Sequence, residues 1–249
     1  MTEAKLTHGI RGVLWHQGEA DQGSGAPTGD YNYKSYQQFF VDISMDWKKD
    51  MPNIQHYYIF QVWPSGGNIP AASSDLVREA QRTLPRLYSN MDVMSTVGCP
   101  GFDVGAWHPY PTTAIEAWRP YTVIGYAALA ALITPLVERD NYGVLAEVTA
   151  PDLKKARFTS SSRDQIELVF GQPVKWTDSV KGNLYLDRTP GKIVSGKAEG
   201  KSIILQLDGA STNKRIDYVL SQHFDGKKEK LIYGTNGIAA LTFAGVPIE

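Results

Sequence analysis

Strand-like and helix-like segments alternate along residues 9–140, and this alternation constrains the fold more than any other feature of the sequence. The strand-like segments, which are rich in apolar, β-branched and aromatic side chains, are residues 9–17, 54–63 and 91–98. The helix-like segments that follow them in turn are residues 35–50, 73–88 and 121–140. This order predicts a parallel sheet with helices packed against it. In such sheets, ligands bind beyond the carboxyl ends of the strands.

The first helical segment has a clear apolar periodicity. Its large apolar side chains recur at offsets of 0, 3, 4, 7 and 11 residues, at Tyr36, Phe39, Phe40, Ile43 and Trp47. That spacing predicts an amphipathic helix with Ser35 as its N-cap. The strand before it, residues 9–17, is apolar enough to be buried on both faces, as strands of parallel sheets usually are.

The sequence pattern changes after Asp140. Short β-like runs separated by Gly, Asn, Asp and Pro replace the helical periodicity. Several short strands with turn residues between them predict a β-sandwich. We therefore expect an α/β domain over residues 1–140 and a small all-β sandwich domain over residues 141–249.

Composition excludes several classes of partner. The chain has 249 residues, a net charge of -1 and one cysteine, Cys99. A near-neutral charge without runs of like charges gives no electrostatic basis for binding nucleic acid or an anionic membrane. No apolar stretch reaches the roughly 18 residues that a membrane-spanning helix needs. A single cysteine excludes an intrachain disulfide and a thiolate metal cluster.

Polar and small residues follow the first strand abruptly. His16, Gln17, Gly18 and Glu19 come directly after Trp15. The side-chain N–H of Gln17 and the backbone N–H of Gly18 are donors that stabilise an oxyanion where they face a cleft. Glu19 would orient a neighbour or carry charge. The alternative is a glycine turn whose polar side chains are merely solvated.

A second polar loop follows the third strand and contains Asp103 and His108. A loop histidine is available as a general base, and a nearby carboxylate fixes its tautomer. The alternative is a surface histidine beside prolines. The remaining histidines show no metal-ligand spacing with one another or with carboxylates, so no metal site is expected.

The stretch REAQR, from Arg78 to Arg82, lies near the start of the second helical segment. By itself it indicates a solvated helix face with charge pairs inside the helix. The glycine-rich residues 21–29 lack the Lys-Ser/Thr ending of a phosphate-binding loop. No cofactor is therefore expected.

Taken together, these segments resemble a known family. The sialate O-acetylesterase-like carbohydrate esterases of the SGNH hydrolase superfamily have similar segments in the same order and spacing. In this chain they are "GVLWHQGEAD", "YQQFFVDISMDWKKDMPN", "YYIFQVW", "LVREAQRTL", "MDVMSTVG", and "HP" followed by a helix beginning "YTVIGYAALA". The resemblance covers residues 9–138. It implies a flavodoxin-like three-layer α/β fold, metal-free hydrolysis of acetyl esters on sugars or glycans, and a secreted or periplasmic location.

The resemblance also implies roles for individual residues. Gln17 and Gly18 correspond to the oxyanion-hole block, and His108 to the catalytic base. The family's carboxylate lies three residues before the histidine, where this chain has Gly105. We expect Asp103 to replace it, with Glu79 of "REAQ" as the second candidate.

The nucleophile is the main departure from the family pattern. The family's serine lies in a Gly-x-Ser-Asn type motif after a first strand, well before the "QGE" block. Here Gln17 is sixteen residues from Met1, which leaves no room for that strand. We therefore expect an N-terminally incomplete esterase whose exposed sheet edge pairs with a second copy or with a complementing N-terminal segment.

Two other interpretations stay open from the sequence. One is a complete hydrolase with an unfamiliar serine, for which Ser24, Ser65 and Ser95 are the candidates considered. The other is a non-catalytic sugar-binding or assembly module. It is indicated by the β-like C-terminal half and by the tryptophans Trp63, Trp107, Trp118 and Trp176.

Overall fold

The structure is a computed structural model, and it describes residues 6–19, 21, 33–64, 71–99, 120–144 and 147–249. The α-helices that it describes from end to end are α1 (Tyr33–Asp50), α2 (Ala71–Thr83) and α3 (Pro120–Tyr142). Short 3-10 helices lie at Leu84–Arg86, Asp178–Asn183 and Lys228–Lys230. In this described part of the chain, no helix is both long and apolar enough to cross a membrane.

The first three strands form one parallel sheet. They are, in spatial order, β1 (Gly12–Trp15), β2 (His56–Gln61) and β3 (Met91–Ser95). Both neighbouring pairs run parallel, with Gly12 opposite His56 and Tyr57 opposite Met91. The parallel sheet predicted from the alternating pattern is confirmed for these strands. Their carboxyl ends therefore lie at one edge of the sheet.

The strand β1 differs from the fully buried strand that its sequence predicted. Trp15 packs edge-to-face on Phe40 and Trp47 of α1, with ring centroids 5.8 and 5.1 Å away. Leu14, which points to the opposite face of the strand, is 57% exposed. Burial on both faces was the wrong expectation. Within the described residues, β1 has only β2 beside it, and the face of Leu14 is left largely uncovered.

The apolar stripe predicted for α1 is only partly buried. Tyr36 and Phe40 lie in the core, whereas Phe39 and Ile43 are 42% and 37% exposed. The helix begins two residues earlier than predicted, so Ser35 lies in its first turn and is not the N-cap. The buried half of the stripe is the part that fixes α1 against the sheet.

The REAQR stretch lies inside the molecule, so the solvated helix face was the wrong prediction. The bounds of α2 place this stretch in the last turns of the helix rather than near its start. Arg78, Gln81 and Arg82 are 1%, 0% and 3% exposed. The helix is buried on two sides, by the parallel sheet and by the strands of the C-terminal half.

Antiparallel pairing joins the strands of the C-terminal half. These strands are β4 (Leu153–Phe158), β5 (Gln165–Phe170), β6 (Val174–Lys175), β7 (Leu184–Leu186), β8 (Ile193–Glu199), β9 (Ser202–Leu207), β10 (Arg215–Tyr218), β11 (Tyr233–Gly234) and β12 (Phe243–Pro247). They form sheets in the orders β4-β5-β9-β8, β12-β10-β7 and β11-β6. The fold is therefore a mixed α/β fold with several sheets.

The hydrophobic core is continuous between the two halves of the chain. One cluster of buried side chains joins Val93 of β3 and Leu136 of α3 to Leu153 of β4 and Leu241. The division of the chain into domains 1–140 and 141–249 therefore stays a prediction, and α3 runs past it to Tyr142.

Candidate active site

Three loops leave the carboxyl edge of the parallel sheet. Residues 16–19 follow β1, residues 62–64 follow β2 and residues 96–99 follow β3. Several predicted site residues lie outside the described residues, namely His108, Asp103, Gly105, Ser24, Ser65, Trp107 and Trp118. The geometry of the site is therefore built from the first loop and its neighbours.

Gly18 occupies a backbone position that only glycine fits. Its φ is +132°, which side chains of L residues rarely allow. An added Cβ would lie 3.0 Å from Nε2 of Gln81 and 3.2 Å from Cγ1 of Val62. Glu19, the next residue, is 8% exposed. This loop is packed into the protein, so a merely solvated turn does not describe it.

Gln17 is held by both its side chain and its backbone. Its Nε2 donates to Oδ2 of Asp21 over 2.6 Å. Its carbonyl oxygen accepts from the hydroxyl of Tyr36 at 3.0 Å and from Nε2 of Gln81 at 2.9 Å. A primary amide carries two N–H bonds, so one bond to Asp21 leaves the second N–H able to donate to a ligand.

Tyr36 is the hydroxyl at the centre of these contacts. Its oxygen donates to the Gln17 carbonyl and accepts from Nε1 of Trp15 at 3.2 Å and Nε2 of Gln81 at 3.0 Å. Burial raises the pKa of Tyr36 to about 12, and the nearby carboxylates of Asp21 and Glu19 add to that rise. The phenol therefore stays protonated and remains a donor at neutral pH.

His16 and Glu19 lie close together within this loop. Nε2 of His16 lies 3.4 Å from Oε1 of Glu19. The imidazole packs edge-to-face on Phe60 of β2, with 5.7 Å between ring centroids. The role expected for Glu19, to orient a neighbour or carry charge, stays a prediction, with His16 as the neighbour beside it.

Glu79 is engaged in the contact between α2 and the C-terminal half. Its two oxygens accept from Nε and Nη2 of Arg82 at 2.8 and 2.6 Å, and Oε2 also accepts from the backbone N–H of Ala244 at 3.2 Å. Arg82 in turn donates to Asp152 at 2.7 Å and to the Leu153 carbonyl at 2.9 Å. Glu79 therefore has one partner on α2, Arg82, and one in the C-terminal half, Ala244, at the junction between these two parts of the chain.

Arg78 is the buried centre of the same junction. Its Nη2 donates to Asp75 at 2.6 Å and to the Val219 carbonyl at 2.8 Å, and its Nη1 donates to the Thr242 hydroxyl at 2.6 Å. Desolvation by burial lowers the pKa of Arg78, while the carboxylate of Asp75 acts in the opposite direction. The guanidinium still remains charged at any physiological pH.

Ser95, Trp63 and Trp176 each contact neighbouring residues of the chain. The Ser95 hydroxyl, 1% exposed, donates to the Ala240 carbonyl at 3.0 Å. Trp63 is 2% exposed and packs against Phe224. Trp176 is half-buried, and its Nε1 donates to Asp178. The Ser95 hydroxyl and the Trp63 ring are therefore enclosed by the protein, whereas Trp176 keeps part of its surface exposed.

Sequence reasoning missed three residues around the first loop: His16, Tyr36 and Gln81. Tyr36 was assigned only to an apolar helix stripe, and Gln81 only to a solvated helix face. One sequence signal could have pointed to Gln81: the motifs "WHQGE" and "REAQ" occur together in the same chain. His16 stood inside the motif but was given no role of its own.

The mixed α/β fold is similar to that of a solved esterase. Comparison with solved structures finds a carbohydrate acetylesterase from Xanthomonas citri with a TM-score of 0.62 and 17% sequence identity. The alignment covers 94% of this chain and 50% of that one, so the chain spans about half the length of that esterase. Neither a family model nor a curated protein matches the sequence. The chain therefore has a carbohydrate esterase-like fold.

Proposed function

We propose that this chain belongs to a carbohydrate O-acetylesterase that removes acetyl groups from sugars or glycans, in the manner of the sialate O-acetylesterase-like SGNH hydrolases. The observation that carries the proposal is the 16–19 loop. It lies at the carboxyl end of a strand in a parallel sheet, and its Gly18 is held at a φ of +132°. Such an edge is where α/β folds of this kind bind ligands.

In this proposal, Gln17 and Gly18 stabilise the oxyanion of the tetrahedral intermediate. The second side-chain N–H of Gln17 and the backbone N–H of Gly18 donate to the oxygen on which charge develops. Donors that are already fixed before the reaction need no reorganisation as that charge forms. The bonds that hold the loop, from Tyr36 and Gln81, support this preorganisation.

His108 is the proposed general base. It takes the proton from the attacking hydroxyl and returns it to the leaving sugar oxygen. Asp103 is the carboxylate that we assign to orient His108. The contacts of Glu79 with Arg82 and with Ala244 favour Asp103 over Glu79, because they already occupy both oxygens of the second candidate.

The nucleophilic serine is the least constrained part of the proposal. The contact of Ser95 with the Ala240 carbonyl argues against that candidate. Ser24 and Ser65 remain, together with a serine on a complementing N-terminal segment or second chain. The same proposal includes a three-layer SGNH sandwich and a separate β-sandwich domain. It also includes an acetylated sugar as partner and a reaction without cofactor or metal.

Turnover of p-nitrophenyl acetate by the purified chain tests the proposal. Where the serine is supplied, by this chain or by an added N-terminal segment, we expect His108→Ala to abolish turnover. His8→Ala is the control and should keep turnover, because it changes an exposed histidine outside the loop. Fluorophosphonate labelling and peptide mapping would locate the serine. Enzymatic turnover that survives His108→Ala would contradict the assigned base. Background turnover by the chain alone places the serine elsewhere, since losing a nucleophile costs on the order of 10⁶ in rate.

A further inference from the structure

We propose that Gln81 is the positioning residue of the oxyanion loop, which it holds by fixing the peptide plane between Gln17 and Gly18. This inference rests on the proposed function only for its catalytic meaning. The geometric part, that Gln81 sets the orientation of the Gly18 N–H, stands on the contacts of the described residues.

Gln81 joins the ends of two strands to each other. Its Oε1 accepts from the backbone N–H of Val62, just after β2, at 2.9 Å. Its Nε2 donates to the carbonyl of Gln17, just after β1, at 2.9 Å, and to the hydroxyl of Tyr36 at 3.0 Å. The side chain is 0% exposed, so water does not replace any of these bonds cheaply.

The Gln17 carbonyl and the Gly18 N–H belong to one peptide unit. Because a trans peptide is planar, its N–H points away from its C=O. Two donors, from Tyr36 and Gln81, fix the direction of the Gln17 carbonyl. They therefore also fix the Gly18 N–H, which is aimed away from α1 and α2.

Contact between Gln81 and Gly18 adds a steric restraint to the hydrogen bonds. Nε2 of Gln81 lies only 3.0 Å from the place where a Cβ of residue 18 would stand. The backbone of Gly18 is thus packed directly on the amide that orients it. Only a glycine loop lets the positioning side chain come this close.

The chemistry at position 81 requires one acceptor and one donor at the same side-chain end. Glutamine supplies both. An ionised glutamate still accepts from Val62 but places a lone pair against the Gln17 carbonyl. A protonated glutamate has one O–H donor and one acceptor, and so restores both bonds to the backbone. Gln81→Glu therefore predicts a loop whose order depends on pH.

The test is the backbone carbonyl carbon signal of Gln17 and the backbone nitrogen signal of Gly18, recorded with carbon detection in the full chain labelled with carbon-13 and nitrogen-15, because open amide protons exchange too fast to be seen at alkaline pH. We expect Gln81→Glu to shift both signals away from the wild-type positions at about pH 9.5 and to return them towards those positions at about pH 5, where a buried carboxyl is protonated. Gln81→Met, which keeps the side-chain volume and removes the bonds, should shift them at both pH values.

Matched controls separate the loop from the rest of the helix. Gln37 on α1 also donates to α2, to the Ala80 carbonyl at 2.8 Å and the Thr83 hydroxyl at 2.6 Å. Gln37→Glu should leave the signals of residues 17 and 18 in place. The wild type is measured at the same two pH values, because titratable side chains lie around position 81: His16, Glu19 and Asp21 in the loop and Tyr36 on α1. On α2 itself, Arg78 and Arg82 keep their charge throughout.

Three results would overturn the inference. The first is wild-type signals for residues 17 and 18 in Gln81→Glu at both pH values or in Gln81→Met. The second is a displacement in Gln81→Glu that does not change with pH. The third is failure of both variants to fold at either pH, which would show that Gln81 stabilises the whole protein rather than orienting the loop. These signals report the loop geometry whether or not the chain hydrolyses esters. A failure of the proposed function would therefore appear in the turnover assay and not in these signals.

Discussion

At the scale of single residues, the candidate site is decided by groups that a sequence pattern cannot rank. Gly18 matters because of its φ and because three side chains, of Gln81, Val62 and Val77, lie within 3.4 Å of where its Cβ would be. Tyr36 matters because its hydroxyl reaches a carbonyl from within an otherwise apolar helix face. In both cases the sequence shows which residue is present, but the contact that requires this residue is with a distant segment of the chain.

Gly18→Ala is expected to destabilise the protein by about 2–4 kcal/mol, because it combines a strained φ with overpacking against Gln81 and Val62. Urea unfolding measures the change in the free energy of unfolding. Gly182→Ala is the matched control, since no atom lies within 4 Å of the added Cβ there. It should stay within about 0.5 kcal/mol of the wild type. Equal effects at the two positions would show that the strain assigned to Gly18 is absent.

Tyr36 should make the free energy of unfolding depend on pH in the alkaline range. Its pKa in the folded protein is about 12, above the value of 10.0 for an unperturbed tyrosine. The unfolded chain therefore loses its proton first, and stability present below pH 10 declines as the pH rises towards 12. Urea unfolding at both ends of this window should show that Tyr36→Phe loses less stability than the wild type, by up to about 2 kcal/mol. Parallel losses in the two proteins would exclude Tyr36 as the source.

At the scale of elements, α2 departs furthest from its sequence pattern. Its Arg and Gln side chains indicated a solvated face, but that face meets the strands of the C-terminal half. The helix was predicted to reach residue 88, yet it ends at Thr83 and gives way to a 3-10 turn. Pro85 explains the stop, because its ring would clash with the carbonyl four residues earlier in a continuing α-helix.

Arg78→Met should destabilise the protein by about 1.5–3 kcal/mol, because it removes the bonds to the Val219 carbonyl and the Thr242 hydroxyl and one of the two guanidinium partners of the buried Asp75. The other partner, Arg188, stays on the second oxygen of Asp75 at 2.6 Å. Arg157→Met is the control. Arg157 also pairs with a carboxylate, Glu167, at 2.6 Å, but its side chain is 52% exposed, so its loss should cost less than about 1 kcal/mol. Thermal unfolding of both variants measures the difference. A small effect at Arg78 would mean that the junction contributes little to stability.

At the scale of the whole molecule, the β1 side of the parallel sheet exposes apolar side chains on both of its faces within the described residues. Leu14 is exposed on one face of β1, and Phe39 and Ile43 of α1 are exposed on the other. A cavity of about 280 Å³ lies beside Phe39 and Ile43 and is also lined by Trp15 and Tyr36. Apolar surface at the edge of a sheet favours association with another chain.

We expect a second copy of the chain to cover this side, so light scattering at tens of micromolar should give a mass above that of the monomer. Leu14→Lys should reduce the association by placing a charge in the contact. Val194→Lys is the control, because Val194 is 45% exposed on β8 in the C-terminal half. A monodisperse monomer for the wild type would contradict the prediction.

The sequence predicted the parallel sheet well because a buried strand and an amphipathic helix each leave a local pattern. It predicted β1 less well, because exposure of Leu14 depends on what lies beside the strand. For the site, the sequence singled out Gln17, Gly18 and Glu19 from their position after a strand. It could not assign Gln81, because its partners lie 19, 45 and 64 residues away along the chain.

The sequence by itself determined the alternation of strands and helices, the change to short strands after Asp140, and the polar loop at the end of β1. These are local properties, set by side-chain periodicity and turn residues within a few positions. Only the tertiary structure decided that α2 is buried on two sides, that Arg82 donates to Asp152, and that Gln81 holds the loop. Hydrogen bonds and burial between distant segments exist only after the chain has folded, and no local pattern encodes which segments will meet.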